Sequence, residues 1–337
     1  MRFLLAWLLA LVGASPCHAA FDRASTISLA QSVLKIEVAR GQGGYALGSG
    51  VVIADERVVT NCHVTRDGRA IDVLLHGRRW RVKAQASDVM HDLCVLQVPG
   101  IEAPTVVLGP SRELHPGQMV LALGFTGGLG LQRSEGDIVA LHPLDGGRVL
   151  QVSNDFTSGA SGGGLFDERL RLIGVLTFRL PGSEASYYAA PVEWLQDLLQ
   201  HEGNFHEVAP IAAPWIAYWQ QPSGAQPLFL QAAALERASQ WTELESLAGG
   251  WSRSEADDPQ PWLLRGVALA GLRRWPEAQL TLERSVLLEP ASSKAWFELG
   301  LVLSRQGQLD EARRAQRRLA TLNPERAAEL ARLIDTH

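Results

Sequence analysis

At 337 residues the chain is too long for one ordinary hydrophobic core, and a formal net charge of -5 without a long Lys/Arg run excludes nucleic-acid recognition by phosphate neutralisation. With 46% hydrophobic and 20% charged residues it also holds too much apolar material for a disordered chain. Two globular domains are the expectation.

Residues 1–20 have the three-part layout of a secretory signal peptide. Met1-Arg2 leads into the apolar run Phe3 to Val12, and small residues follow around Cys17-His18-Ala19-Ala20, so cleavage falls after Ala19 or Ala20. The apolar run is much shorter than the roughly 20 residues that cross a bilayer, and no stable membrane span is expected after cleavage. The protein should be periplasmic or secreted. Cys17 leaves with the signal, so Cys62 and Cys94 remain, in a compartment where disulfides persist.

From residue 26 to 200 the chain reads as short β-branched strands separated by glycine-rich turns, among them Val33 to Val38, Gly50 to Ala54, Ile71 to Leu75, Leu93 to Val98, Met119 to Leu123 and Leu172 to Leu176. Such a pattern is that of an all-β barrel or sandwich. Prolines 210, 214 and 222, with Pro227 just beyond, mark residues 201–225 as a linker or docking arm.

Residues 226–337 repeat with a period of 34. Trp262 maps to Trp296, Gly266 to Gly300, Leu269 to Leu303, Ala278 to Ala312 and Pro290 to Pro324; one period earlier, Leu230, Ala234, Leu235, Trp241 and Glu243 match Leu264, Ala268, Leu269, Trp275 and Glu277. Three copies followed by a capping helix, Glu325 to Ile334, result. The period and its Trp, Leu-Gly, Ala and Pro positions resemble the tetratricopeptide repeat, a helix pair that buries its apolar face only against its neighbours. The resemblance implies an all-α solenoid with a protein or peptide as its ligand.

The chemistry centres on Gly159-Ala160-Ser161-Gly162-Gly163. A serine between glycines on a tight turn exposes its hydroxyl and lets the backbone N–H groups of Gly159 and Ser161 converge on an oxyanion. Its hydroxyl needs a base, and His63 in Val59-Thr60-Asn61-Cys62-His63-Val64 stands at a strand end, a setting that His76, His91, His115 and His142 lack. A carboxylate should hold the imidazole, and Asp92 opens the next apolar strand in the order His, Asp, Ser; Asp88 is the rival acid.

These segments, together with Gly48-Ser49-Gly50-Val51-Val52-Ile53, Ala122-Leu123-Gly124-Phe125, Gly136-Asp137-Ile138-Val139 and Ala190-Pro191, resemble the HtrA/Deg branch of the chymotrypsin-like serine proteases. The resemblance covers about residues 30 to 199 and implies two six-stranded β-barrels with the His63, Asp92 and Ser161 triad in the cleft between them. By the same resemblance Asp155, six residues before Ser161, falls at the floor of the primary specificity pocket, with Phe156 and Tyr188 as apolar lining. An apolar or mixed pocket is expected. Two features depart from the family: helical repeats stand where a peptide-binding PDZ domain usually follows, and Ala160 replaces the aspartate by which digestive enzymes sense a newly cut N-terminus.

The expected activity is that of a serine endopeptidase acting on exported polypeptides through an acyl-enzyme, with no metal or organic cofactor. The alternative is a catalytically weak protease-like scaffold whose repeats mediate protein interactions. Pairing of Asp92 with His63 would also bring Cys62 and Cys94 within bridging reach, because each lies one or two residues from a member of that pair.

Overall fold

The computed structural model describes residues 21–127, 130–180, 186–200, 202–211 and 216–336, so the expected signal peptide, residues 1–20 with Cys17, lies outside the described residues. A short helix, α1 (Arg23–Ala30), is capped by the Asp22 carboxylate, which accepts from the N–H groups of Ala24 and Ser25. Phe21, before it, is buried in the same core as Leu121 and Leu123.

Seven strands follow: β1 (Val33–Arg40), β2 (Tyr45–Ala54), β3 (Arg57–Thr60), β4 (Gly68–Leu75), β5 (Arg78–Arg81), β6 (Ala84–Asp88) and β7 (Leu93–Gln97), with the single turn α2 (Cys62–Thr65) between β3 and β4. Alternation of buried and half-exposed residues in β1 and β4 puts Leu34, Ile36, Val38, Ile71 and Val73 into one core. The sheet has eight strands, in the order β14-β6-β7-β3-β2-β1-β4-β5, where β14 (His206–Glu207) comes from beyond the second barrel. β5 and β6 are two stretches of one run, so the six strands of the ring that the family resemblance implies are present, with β14 added to them. At their junction Val82 N–H bonds the Ile71 carbonyl and Lys83 N–H the Gln97 carbonyl, so the run pairs with β4 at one end and β7 at the other, and β14 adds to the edge of β6.

The second barrel closes. Strands β8 (Met119–Thr126), β9 (Gly130–Leu144), β10 (Gly147–Val152), β11 (Gly164–Phe166), β12 (Leu172–Leu180) and β13 (Ser186–Pro191) form a ring in the order β10-β13-β12-β11-β8-β9, all antiparallel. Val120, Ile138, Leu150, Leu165 and Ile173 fill it. Closure leaves no unpaired edge.

After α3 (Leu195–Gln200) the chain runs back along the first sheet. Gln85 Nε2 bonds the Ala209 carbonyl, Ile211 N–H bonds Arg66 O, and Tyr218 N–H bonds Met90 O, so the chain is docked at Ala209, Ile211 and Tyr218. Seven helices follow: α4 (Leu228–Arg237), α5 (Trp241–Ser254), α6 (Pro259–Gly271), α7 (Trp275–Leu288), α8 (Ser293–Arg305), α9 (Leu309–Ala320) and α10 (Pro324–Asp335). They form three antiparallel pairs and a final helix, in which the periodic Ala278, Ala312, Leu269 and Leu303 are buried between helices. The first pair does not stand apart: Phe229, Leu230, Leu244 and Trp251 share one apolar cluster with Tyr188 and Trp194 of the β-barrel half. No helix of the described residues is long and apolar enough to cross a membrane.

Candidate active site

Asn61 follows β3 in an extended conformation and starts the turn of α2, which carries His63. Its buried amide Nδ2 donates to the Asp92 carbonyl at 2.9 Å and to Thr177 Oγ1 at 3.2 Å, tying the histidine turn to both the aspartate segment and β12. Cys62 and Cys94 are bonded sulfur to sulfur with their Cα atoms 4.9 Å apart, a second tie between the same two segments.

Asp92 holds a left-handed backbone (φ 59°), a conformation that aspartate tolerates better than most side chains. Its carboxylate is buried and fully engaged. Oδ1 accepts the backbone N–H of His63 at 2.8 Å, and Oδ2 lies 2.6 Å from His63 Nδ1. Such an acceptor places the imidazole proton on Nδ1 and leaves Nε2 with a free lone pair. A third donor comes from the docked segment: Trp219 Nε1 lies 3.2 Å from Asp92 Oδ2. Asp88 has another partner, His91, whose Nδ1 is 2.5 Å away and whose Nε2 reaches Asp145 at 3.1 Å. Burial disfavours a charge on His91, yet the two carboxylates outweigh it and hold its pKa above the usual value.

Ser161 sits at the tip of the turn before β11. Gly159 (φ 100°) and Gly162 (φ 86°) are required there: a Cβ on Gly159 would meet Phe125 O at 2.7 Å, and one on Gly162 would meet Ser49 O at 2.1 Å. The turn is held from outside. Ser49 N–H bonds Ser161 O at 2.8 Å, Ser49 Oγ donates to Gly159 O at 2.8 Å, and Gly127 N–H bonds Ser158 O at 2.9 Å. Because a peptide N–H points opposite to its carbonyl, fixing Ser158 O against Gly127 directs the Gly159 N–H the other way. The Ser161 hydroxyl itself donates to Thr177 O at 3.3 Å.

A hollow beside this turn is lined by Phe156, Ala160 and Leu176 and, on its polar side, by Thr126, Ser134 and Asp155. Asp155 accepts a hydrogen bond from Tyr187 Oη at 2.6 Å, and Phe156 packs on Tyr187 with ring centroids 4.8 Å apart. Tyr188 is not in this hollow. It faces the opposite side of β13, stacked on Phe178 at 4.7 Å, because side chains alternate along a strand; Tyr187 stands where Tyr188 is expected.

Sequence reasoning misses Asn61, Thr177 and Trp219 as contributors. The first two are polar residues that the barrels bury together. The third carries a faint signal, two adjacent aromatics, Tyr218-Trp219, in a proline-rich stretch where solvated residues would suffice.

Fold and site together define a trypsin-like peptidase domain joined to tetratricopeptide repeats. Residues 48–175 match the trypsin-like peptidase domain family, and residues 293–326 the tetratricopeptide repeat. In sequence the chain is similar to the serine endoprotease DegS of Salmonella typhimurium, 31% identical over 54% of this chain and 57% of that protein. It is likewise similar to a probable periplasmic serine endoprotease, DegP-like, of Halomonas elongata, 29% identical over 52% of this chain and 39% of that protein. The chain thus spans about half the length of the curated relatives it matches. In structure it is similar to the Rv3671c protease of M. tuberculosis in its active form, with a TM-score of 0.51 at 21% identity over 63% of this chain and 97% of that one, a likeness of fold.

Proposed function

We propose that the protein is an exported serine endopeptidase that uses Ser161, His63 and Asp92. The observation that carries this reading is the 2.6 Å contact of His63 Nδ1 with the buried Asp92 carboxylate, beside which stands the glycine-braced turn of Ser161 as candidate nucleophile. In the reaction, the Ser161 hydroxyl turns from the Thr177 carbonyl to His63 Nε2, gives up its proton there and attacks the scissile carbonyl carbon. The oxyanion is received by the N–H groups of Gly159 and Ser161. His63 then protonates the departing amine, leaving an acyl-enzyme, and a water deprotonated by His63 hydrolyses it. The chemistry needs no metal or organic cofactor.

A signal over residues 1–20 and the Cys62–Cys94 bridge both suit an oxidising compartment, the periplasm or the exterior. The repeats are read as the recruiting surface for a polypeptide substrate or partner. Leu280 and Leu287, seven residues apart on α7, are 67% and 69% exposed and offer an apolar stripe for such a contact. Replacing both by Glu should lower the cleavage of casein relative to that of a short peptide.

The deciding experiment is incubation of the mature protein with a fluorophosphonate probe and with casein, beside Ser161→Ala. Labelling and cleavage that vanish in the variant support the peptidase. A second reading, a catalytically weak scaffold, draws on the Ser161 hydroxyl being turned to Thr177 rather than to His63; an unlabelled wild-type protein would support it.

A further inference from the structure

We infer that Trp219, supplied by the segment that joins the peptidase half to the repeats, is a positioning residue of the catalytic dyad, fixing the Asp92 carboxylate against His63 through its indole N–H. The inference rests on the peptidase reading of the site. Its indole Nε1 reaches Asp92 Oδ2 at 3.2 Å, the same oxygen that faces His63 Nδ1. The residue is held for this contact at three points. It stacks on Phe178 with centroids 4.9 Å apart and planes 9° from parallel, and meets the His63 ring edge-on at 5.8 Å. Its own carbonyl accepts from Gln226 Nε2 at 2.8 Å, immediately before α4. The neighbouring Tyr218 is buried, with its N–H on the Met90 carbonyl, so the segment cannot slide without breaking a backbone bond beside Asp92.

A buried carboxylate has lone pairs that must be filled, and hydrogen bonds to an ionised acceptor are worth more than neutral ones. Asp92 receives two donors from His63, which belongs to the reacting machinery; the third comes from Trp219. The indole therefore does two things. It stabilises the carboxylate as an anion, and it stops Oδ2 from rotating away when His63 gains its second proton. The other charged or titratable groups around the pair are Arg66, which lines a small hollow together with His63 and Asp92, the Asp88–His91 pair, with Asp88 O 3.8 Å from Cys62 Sγ, and the hydroxyl of Tyr218, which burial and the nearby Asp92 charge keep protonated. None of these changes when the indole N–H is removed.

The test is Trp219→Phe in the full-length mature protein, which keeps a ring to stack on Phe178 and deletes only the donor. Circular dichroism and thermal melting establish that the variant is folded. Three readouts are then compared with wild type: kcat and KM on a short peptide, the pH profile of kcat/KM, and the far-downfield proton resonance of the His63–Asp92 hydrogen bond. The expectation is a fall in kcat of roughly tenfold with KM within about twofold, the size set by loss of one charge-assisted hydrogen bond. The pH profile of kcat/KM should differ from wild type, since the indole donates to the carboxylate oxygen that faces the imidazole. The downfield resonance should shift. A wild-type pH profile and an unmoved resonance, with or without a loss of kcat, overturn the proposal. Failure of the wild-type protein to react with fluorophosphonate would count against the peptidase reading instead, and the resonance would still report whether Trp219 acts on the pair.

Discussion

The two halves of the molecule assemble by opposite rules. In the repeats each helix pair packs on the pair before or after it, and the side chains that meet recur every 34 residues, as Ala278 and Ala312 do. The peptidase half draws its site from distant stretches: His63 and Asp92 pair across 29 residues, and Asn61 reaches Thr177 across 116. Local stacking tolerates damage to one unit, because its neighbours still bury most of their faces. A site built by convergence fails as a whole when one member is lost.

That contrast is broken first, and most severely, at the triad. Ser161→Ala and His63→Ala should each reduce peptide hydrolysis by about 10⁴-fold or more and abolish probe labelling; Ser161→Ala should melt near wild type, and His63→Ala somewhat lower because it takes a donor from the buried Asp92 carboxylate. Because the members act as a unit, the double variant should be scarcely worse than either single one. Wild-type turnover in both single variants would move the active site elsewhere.

Next in size is the Cys62–Cys94 bridge. The bonded residues are separated by 32 positions, for which the chain-entropy account gives a stabilisation of about 3 to 4 kcal/mol. Cys62→Ala combined with Cys94→Ala should lower the denaturation midpoint accordingly, and activity should fall with it because the bridge ties the segments that carry His63 and Asp92. Helices α8 to α10, whose core contains no residue of the barrels, should be affected least. Mass measurement after alkylation of the unreduced, denatured protein checks the bridge itself: two added alkyl groups would rule it out.

Acid provides a third and milder break, at the seam between the halves. His142, on β9, is fully buried, stacked on Phe229 of α4 at 4.2 Å, and 3.0 Å from Gln151 Oε1 through Nε2. Burial pulls its pKa down to about 4, with the Lys294 charge adding to the effect and the Gln151 contact opposing it. The unfolded chain therefore takes up a proton near pH 6.5 that the folded protein refuses until about pH 4. Folded stability should fall as the pH drops through that window, by up to about 3 kcal/mol. His142→Phe should flatten this dependence between pH 6.5 and 4.5 in urea titrations. An unchanged slope would show that other groups carry it.

How much of this was legible in the sequence also follows the contrast. The repeats announce themselves by period, since local packing needs the same side chain at the same place in every copy. The triad is legible because acyl transfer demands a glycine-flanked serine and a histidine and aspartate at strand ends. What stays hidden is what depends on the meeting of distant parts. Nothing local says whether Tyr187 or Tyr188 faces Phe156, because a slip of one residue reverses every side chain of a strand. Nor does a proline-rich stretch announce that it will return to the first sheet, add β14 to its edge and carry Trp219 to Asp92. Likewise the boundary read at residue 226 is a boundary of pattern and not of packing, since Phe229 and Leu230 join the peptidase core.

The smallest effect is expected at the specificity hollow, where the two kinds of lining compete. Asp155 would attract a basic side chain before the scissile bond, but its carboxylate already accepts the Tyr187 hydroxyl at 2.6 Å, and that bond, more than burial or the carboxylate charge, raises the tyrosine's pKa. Phe156, Ala160 and Leu176 present an apolar wall opposite. A methylene fitted into such a wall is worth about 1 to 3 kcal/mol, whereas an exposed carboxylate screened by water and engaged by a neighbour gains less from a substrate cation. Peptide-library profiling should therefore show small or medium apolar residues favoured over Arg and Lys. Asp155→Asn should change kcat/KM on an apolar substrate by less than about threefold. Tyr187→Phe, which frees the carboxylate, should raise the relative cleavage after Arg and Lys. A strict Arg/Lys preference in the wild-type protein would mean that Asp155 dominates the hollow and that the apolar wall only shapes its rim.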